Sequence, residues 1–462
     1  MADRSRADPT VRADFGATLR RRRKLAGLSQ KDLAARLGYH HSVISRWESG
    51  HRRPDLDLVR RVDAVLAAGG ELVEALAHTA DPDTHAADLV GIGPHAPLPG
   101  GLAVSGDRQA AWVPIGWPAR LPHFGMSCPL HGADGCHIPS SEDAAVLYEA
   151  FVADPGAHTD EDTVHVLTAR LAVYTRITEE HGEVGVDTAV EHVLHLIASA
   201  LTSHPGPNRR ALLHLAATHA AFAGQLRTLR GRHGAAMALY GKGLHWAMLC
   251  GDIGLRAALM CDMSTLARLE HDATSAVTYA EALPAIAPDR TWTRALSHLY
   301  TARAHAISGD ALSTTRDAAA ARHHLDRLTE DDGHEASWLA GVHGHVLVES
   351  GLAAAFRDIA AATADHRLAH AATTATEHCL AHVPAQLRPA TVLLTLRLAD
   401  CYACAGQPEA ATAIASPVLG EARAMPWATV AHELRGLRTR LAARWPNLPP
   451  VREMLDHHQG WQ

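Results

Sequence analysis

The stretch from Phe15 to Leu66 constrains this chain most, because its glycines divide it into short helices. An apolar face begins at Phe15 and ends at the turn at Gly27, and Ser29 is placed to cap the next helix. Gly38 supplies a tight turn before a third helix, which we expect from about His40 to Ser49. Two short helices joined by a tight turn form a helix-turn-helix, so this stretch predicts one.

The third helix has two faces of different character. Ile44 and Trp47 are three residues apart and therefore share the face that packs into the core. The outward face, which would lie in a major groove, carries His41, Ser42, Ser45 and Arg46. The first two, near the helix start, are our first candidates for contacts to base edges, and the other two lie one turn deeper. The alternative for Arg46 is an ordinary surface cation on a solvated face.

The run LSQKDLAARLG, followed by VISRWESGHRRP, resembles the Cro/repressor (XRE) type of helix-turn-helix, a five-helix DNA-binding domain. The residues in register with that family are Gln30, Ala34, Gly38, Ile44, Trp47 and Glu48. The resemblance implies that Gln30 touches phosphate and that Arg23 and Glu48 form an ion pair between the first and third helices. His40 departs from the pattern, because the family often has Ser or Thr there and His is a poorer cap.

Arg52 and Arg53 follow the third helix and flank the expected groove. We expect them to neutralise phosphates rather than to read sequence. The charge distribution agrees with this. Residues 1–70 hold 15 basic and 8 acidic side chains, net +7, and the rest of the chain, with 28 and 42, has net −14. A basic segment on an acidic remainder is expected of a DNA-binding domain joined to a domain with another partner.

Cysteine content and hydropathy indicate the compartment. The seven cysteines are an odd number and do not predict a disulfide framework. The chain opens without a charged-then-apolar leader, and no run approaches the ~20 apolar residues of a bilayer span. We therefore expect a cytoplasmic, nucleoid-associated protein.

Residues 78–140 hold nine Pro and nine Gly, a composition that predicts an extended linker. Large apolar side chains within it suggest that part of it lies along the following domain: Trp112, Ile115, Trp117, Leu121 and Phe124. We expect a disordered tail at 1–12, the helix-turn-helix domain at 13–77, helical repeats at 141–446 and a C-terminal tail at 447–462.

Within the linker, CPLHGADGCH brings four possible zinc ligands into ten residues: Cys128, His131, Cys136 and His137. Zinc fingers usually separate their ligand pairs more widely, and the adjacent Cys136 and His137 would have difficulty binding one ion. The alternatives are a partly ordered loop and a redox pair of Cys128 with Cys136. No other cofactor is expected.

From residue 141 onward, apolar residues recur at helical spacing, with breaks at Gly, Asp or Pro. The turns repeat at about 38–40 residues, measured from His233 to Asp272 to Asp310. This pattern resembles a degenerate tetratricopeptide array and predicts an α-solenoid of helical hairpins, so the whole chain is expected to be all-α. A helix is expected at 335–350, and residues 351–363 are ambiguous. The alternative is an irregular helical bundle.

Ligand candidates in this region are polar or aromatic residues on first helices of the repeats: Arg227, Tyr240, His245, Trp246, Arg268 and Tyr300. For any one of them, packing or a solvated face is the simpler explanation. Glu191, His192 and His195 share a helical face, but no matching Glu-x-x-His occurs elsewhere, and the motifs of metalloproteases, nucleotide-binding loops and serine hydrolases are missing. We do not expect an enzyme.

The sequence therefore favours a sequence-specific transcriptional regulator that binds a double-stranded DNA operator as a homodimer. Its architecture is similar to that of peptide-sensing regulators of Gram-positive bacteria, which implies that the repeats dimerise and sense a peptide or small ligand. One alternative is a scaffold tethered to DNA, whose repeats dock another protein. Another is a regulator that responds to zinc or to redox state.

Overall fold

The computed structural model describes residues 15–37, 41–48, 56–78, 117–132, 134–182, 185–203, 206–339 and 341–456. The chain divides into two compact units, Met1–Gly93 and Pro94–Gln462. The prediction of an all-α fold is confirmed, since strands among the described residues are limited to one pair of two residues each. None of the described helices is both long enough and apolar enough to cross a membrane.

The N-terminal unit contains five short helices: α1 (Phe15–Leu25), α2 (Gln30–Leu37), α3 (His41–Glu48), α4 (Leu56–Val65) and α5 (Glu71–His78). All five contribute to one core, which includes Leu19, Leu33 and Val62, each fully buried. The predicted cap of α2 is confirmed, because the Asp32 backbone N–H donates to the Ser29 hydroxyl at 3.1 Å. At the other end of the unit, the Asp63 carboxylate accepts hydrogen bonds from the Gly70 and Leu72 backbone N–H groups.

The C-terminal unit begins with an antiparallel ribbon of β1 (Arg120–Leu121) and β2 (Cys136–His137) and continues in helices. These are α6 (Ser141–Ala153), α7 (Glu161–His181), α8 (Asp187–Ser203), α9 (Arg209–Leu229), α10 (His233–Cys250), α11 (Ile253–Leu269), α12 (Ala273–Glu281), α13 (Thr291–Ile307), α14 (Ala311–Leu325), α15 (Glu330–Glu335), α16 (Gly341–Thr363), α17 (His366–His382), α18 (Arg388–Cys404), α19 (Pro408–Ala415), α20 (Leu419–Ala424), α21 (Ala428–Arg444) and α22 (Pro449–Asp456). Short 3-10 turns occur at Leu283–Ala285, Ser337–Leu339 and Ser416–Val418.

Consecutive helices from α9 onward pair as hairpins, with α9 on α10, α13 on α14 and α16 on α17. Each hairpin turn has one residue with left-handed φ, at Gly231, His271, Gly309, Ala364 and Gly406. An aspartate then caps several of the second helices. Asp272 and Asp310, for example, each accept a hydrogen bond at 3.0 Å from the backbone N–H three residues on. The recurring Asp of the sequence pattern is therefore a helix cap.

Small residues allow the paired helices to approach closely. A Cβ on Gly224 of α9 would lie 2.4 Å from a ring carbon of Tyr240 on α10. Helices from the beginning and end of the unit are also in contact, α7 with α18 and α9 with α21. The Trp427 indole N–H donates to the Gly182 carbonyl at 3.0 Å across this junction. The two ends of the helical array therefore meet.

Three boundaries differ from the sequence expectations. Residues 341–363 form one helix, because Gly351, which looks like a break, faces Leu299 of α13 at a close crossing. The expected C-terminal tail contains α22, whose Val451 and Met454 are buried. The end of the expected linker, from Trp117, is folded. Trp112 and Ile115 lie outside the described residues.

Candidate nucleic-acid interface

Helix α3 presents one face to the core of the N-terminal unit and another outward. Ile44 and Trp47 are 0% and 2% exposed, as their spacing predicts, whereas Ser45 between them is exposed. His41, Ser42 and Arg46 lie on the same helix, but their side chains are outside the described part of the structure. Arg52 and Arg53 also lie outside the described residues. Burial of Ile44 and Trp47 therefore fixes which face of α3 points outward.

A buried polar bridge fixes the end of α3. Arg23 of α1 donates from Nη2 to Oε2 of Glu48 at 3.0 Å and from Nη1 to the Leu28 carbonyl at 2.8 Å. Gln30, at the start of α2, donates from Nε2 to Oε2 of Glu48 at 2.8 Å. The structure thus brings Arg23 and Glu48 together and adds Gln30 to them. One guanidinium and one carboxylate connect the first three helices.

The electrostatics of the bridge favour its charged form. Burial raises the pKa of the Glu48 carboxyl, but hydrogen bonds from Arg23 and Gln30, with the Arg23 charge, outweigh burial and hold that pKa below its usual value. The hydrogen bond to Glu48 raises the pKa of Arg23, against the opposing effect of burial. Both groups are therefore charged at neutral pH. Gln30 donates one of its two amide N–H groups to Glu48, so its second N–H does not take part in the bridge.

Helix α1 crosses the end of α3 at Gly16, where a side chain would not fit. A Cβ at this position would lie 2.7 Å from the Glu48 carbonyl oxygen and 2.9 Å from that of Trp47. On the same helix, Arg21 and Arg22 both pair with Glu71 of α5. Part of the basic run of α1 therefore serves packing within the unit.

Comparison with known proteins agrees with this geometry. Residues 14–76 match the helix-turn-helix domain family. The N-terminal unit contains a helix-turn-helix domain. A relative from Archaeoglobus fulgidus, named as an uncharacterized HTH-type transcriptional regulator, is 38% identical over 72 residues, which are 15% of this chain and 31% of that relative. The chain thus spans about a third of the length of the curated relative it matches. No solved structure matches the chain.

The ligand candidates of the C-terminal unit separate into packing residues and cleft residues. Tyr240 is 2% exposed and its hydroxyl lies 3.1 Å from that of Thr228, so it belongs to the core. Arg227 of α9 binds Glu191 of α8 through two hydrogen bonds, of 2.6 and 2.7 Å. Its charge is therefore already compensated.

Two open clefts are lined by four of the ligand candidates. One, of about 870 Å³, lies among α8, α9 and α10 and is lined by Arg227, His245 and Trp246. The other, of about 550 Å³, lies among α11, α13, α16 and α21 and is lined by Arg268. Tyr300 is half-buried, with the Arg303 guanidinium 5.2 Å from its ring centre, and does not line either cleft.

The second cleft also contains residues that the sequence analysis missed: Asp358, His432 and Arg440. They come from helices more than 80 residues beyond Arg268 in the sequence, so no local motif connects them. All three lie on the first helix of a hairpin, which is a signal that the sequence contains. Every repeat has several polar residues at such positions, however, so this signal does not single out these three.

The predicted Cys/His constellation is corrected at one position. Cys128, His131 and Cys136 converge, but His137 does not join them, because neighbouring residues of a strand point to opposite faces and His137 is exposed. The fourth member of the group is His165 of α7.

Proposed function

We propose that this protein is a transcriptional regulator of the Cro/repressor type that binds double-stranded DNA as a homodimer. The observation that carries the proposal is the buried Arg23–Glu48–Gln30 bridge. It fixes α3 against α1 and α2, with Ile44 and Trp47 inward and Ser45 outward, so that the opposite face of α3 is available to a major groove. The helix-turn-helix match over residues 14–76 supports the same conclusion.

Within this proposal, the residues of α3 divide by task. His41, Ser42, Ser45 and Arg46 contact base edges, and Arg52 and Arg53 hold phosphates on either side of the groove. Gln30 has two roles in this proposal. It donates one amide N–H to Glu48 within the protein, and it donates the other to a phosphate of the DNA backbone. A homodimer places two copies of α3 about one helical turn of DNA apart, or farther.

We infer further that the C-terminal unit senses a ligand with a carboxylate, such as a short peptide. Arg268 supports this. It lines the 550 Å³ cleft, and its Nε has no hydrogen-bond partner among the described residues. Burial, followed by the Arg303 charge, lowers the pKa of Arg268 to about 9. Arg268 is half-buried in the cleft, and an anionic ligand there would accept a hydrogen bond from its unpaired Nε and offset the cost of desolvating the guanidinium.

Selection of bound sites from random DNA by the full-length protein tests DNA recognition. The expected result is a two-fold motif with a fixed half-site spacing. No enrichment, together with an unchanged population of folded protein, would overturn sequence-specific binding.

Two variants test the division of these residues into those that contact base edges and those that contact phosphates. Arg46→Ala should weaken binding to the selected site by about 1–3 kcal/mol and relax the preference at one base position. Arg53→Ala should weaken binding to all sequences alike and reduce the slope of affinity against salt concentration. Affinities for matched and scrambled sites at several salt concentrations separate the two. Equal behaviour of the variants would contradict the division.

Ligand sensing is tested by thermal stability in the presence of pooled short peptides, each prepared with a free or an amidated C terminus. Free-carboxylate peptides should raise the Tm of the protein, and Arg268→Gln should remove that increase. A free-carboxylate hit should also change the affinity for the selected DNA site, as a ligand that prefers one conformational state must. An equal response to amidated peptides would refute the role assigned to Arg268.

A further inference from the structure

A group of four side chains in the C-terminal unit is not used by the proposed function. Cys128 and His131 come from the turn after β1, Cys136 from β2 and His165 from the first turns of α7. One potential ligand atom from each lies within 4.8 Å of the others. Cys128 is 1% and His165 4% exposed, so the group is shielded from solvent on the side of the helix.

Two distances in this group match those between ligands of one tetrahedral metal ion. Sγ of Cys128 lies 3.5 Å from Nδ1 of His131, and Nε2 of His165 lies 3.3 Å from the same nitrogen. Zinc bonds of ~2.3 Å to sulfur and ~2.05 Å to nitrogen place a sulfur and a nitrogen ligand about 3.6 Å apart and two nitrogen ligands about 3.3 Å apart. Both observed distances agree with these values.

Hydrogen bonding alone does not account for the convergence. The His131 Nδ1 atom has either one proton or one lone pair in the ring plane, and it therefore cannot bond well to a sulfur and to a second imidazole at once. A metal ion placed between the three groups removes the conflict, because each then directs a lone pair at the ion. A disulfide between Cys128 and Cys136 would leave the position of both histidines unexplained.

The fold of the ribbon holds the ligands on α7. Pairing of β1 with β2 sets Cys136 opposite Leu121, and the Gly132 N–H closes the first turn on the Cys128 carbonyl at 2.7 Å. Ala169, one turn after His165 on α7, packs against Leu121 and Cys128. His165 and Ala169 share a helical face, so the ribbon lies on that face.

One carboxylate is placed as a metal-bound histidine requires. Oε1 of Glu161 lies 3.3 Å from Nε2 of His131, the ring nitrogen that is not shared with Cys128 and His165, and 3.8 Å from Nε2 of His165. Nδ1 of His165 makes no hydrogen bond among the described residues, and the nearest carboxylate oxygen to it, Oδ1 of Asp162, is 3.9 Å away. The Leu130 N–H points at Sγ of Cys128 at 3.4 Å. For His131 this is the usual arrangement of a metal-binding histidine, in which a carboxylate at the second ring nitrogen fixes which nitrogen binds.

We propose that Cys128, His131, Cys136 and His165 form a structural zinc site that fastens the ribbon of residues 117–140 to α7. Two thiolates and two neutral imidazoles neutralise the divalent charge, so the buried centre carries no net charge. The protein supplies all four ligands, which is the closed arrangement of a structural site. The site does not depend on the proposed DNA binding.

Metal content tests the site in the full-length chain. The protein is purified under reducing conditions, stripped with a chelator and reloaded with Zn²⁺ or with Co²⁺. About one zinc per chain is expected after reloading, and Co²⁺ should give the intense visible bands of a tetrahedral site with thiolate-to-metal absorption. His165→Gln should weaken zinc binding by about 100-fold or more, whereas the matched His137→Gln, in the exposed neighbour of Cys136, should not change it.

Two controls distinguish loss of a metal ligand from a folding defect and from metal bound without the cysteine thiolates. Helix content by circular dichroism must be equal in both variants, and Cys136→Ser should remove thiolate-to-cobalt absorption even if some cobalt remains bound. No uptake of zinc by the reduced wild-type chain would overturn the proposal. Equal zinc affinity of the His165→Gln and His137→Gln proteins, or a Cys128–Cys136 disulfide found by mass spectrometry in the protein purified under reducing conditions, would also overturn it.

Discussion

Both units of the protein bury arginine–carboxylate pairs, but the two clusters differ in the number of charges they share. In the N-terminal unit, one guanidinium and one carboxylate, Arg23 and Glu48, connect neighbouring helices. In the C-terminal unit, Arg357 of α16 binds Asp400 of α18 at 2.8 Å and also binds Glu433 of α21. Two further arginines bind these carboxylates, Arg397 at Glu433 and Arg440 at Asp400.

The difference lies in what remains when one carboxylate is neutralised. Without the charge of Glu48, Arg23 still donates to the Leu28 carbonyl. Without the charge of Glu433, Arg357 keeps Asp358 and an Asp400 that also binds Arg440, in an interior where Asp400 is 0% exposed. Arg397 then keeps only the carbonyl and hydroxyl of Ser350, which are uncharged. Removal of one member of a buried network costs more than removal of one member of a simple pair, because it leaves other charges uncompensated.

The largest effect is therefore expected for Glu433→Gln, which should lower the free energy of unfolding of the C-terminal unit by about 3–5 kcal/mol. Burial alone would raise the pKa of Glu433, but the charges and hydrogen bonds of Arg357 and Arg397 hold it well below its usual value. A carboxyl with a lowered folded-state pKa stabilises the fold above its unfolded-state pKa, and that contribution is lost as the pH falls toward the folded-state pKa.

Denaturant unfolding followed by circular dichroism, repeated from pH 7 down to pH 3, checks both statements. The free energy of unfolding of the wild type should decrease as the pH is lowered past about 4.5, the usual pKa of a Glu carboxyl. The decrease for Glu433→Gln over the same pH range should be smaller. Glu409→Gln, at an exposed position of α19, is the matched control. Equal losses in the two variants would show that the network does not stabilise the unit.

A smaller effect is expected for Glu48→Gln in the N-terminal unit. The amide keeps the shape of the carboxylate but loses its charge-assisted hydrogen bonds from Arg23 and Gln30, which should cost about 1.5–3 kcal/mol. Binding to the selected DNA site should weaken in parallel, because the end of α3 is less firmly held. If stability falls and DNA affinity is unchanged, the bridge supports the fold but does not position α3.

The two clusters also show what could be predicted from the sequence. The Arg23–Glu48 pair was anticipated because it belongs to a motif with fixed spacing. Arg357 and Glu433 are 76 residues apart, on helices that meet only through the stacking of intervening hairpins. No periodicity in the sequence specifies which distant helices meet. The C-terminal network is therefore not predictable from the sequence, although helices are expected throughout most of this region. Arg357 lies in residues 351–363, which the sequence leaves ambiguous.

The Cys/His cluster shows the same limit at shorter range. The sequence groups Cys128, His131 and Cys136 because they are close along the chain, and the structure places their side chains together. It offered His137 as the fourth ligand for the same reason, and the alternation of side chains along β2 excludes that residue. His165 lies 34 residues after His131, and only docking of the ribbon on α7 places the two together.

The smallest effects are expected at two glycines, one in each unit, where helices cross. Alanine is favoured over glycine within a helix by about 0.5–1 kcal/mol, so the environment decides the sign of each substitution. At Gly16 the new Cβ meets backbone carbonyl oxygens at 2.7 and 2.9 Å, which cannot move without shifting α3. Gly16→Ala should therefore destabilise the N-terminal unit by about 1–3 kcal/mol and weaken DNA binding.

At Gly351 the new Cβ meets only the ends of flexible side chains, Leu299 Cδ1 at 2.8 Å and Arg303 Cδ at 3.4 Å. Both can move aside, so Gly351→Ala should change the stability of the C-terminal unit by less than about 1 kcal/mol in either direction. Paired unfolding curves of the two variants against wild type measure the difference. A larger loss at Gly351 than at Gly16 would mean that the hairpins of the C-terminal unit are packed as rigidly as the crossing of α1 with α3. The contrast drawn between backbone and side-chain contacts would then fail.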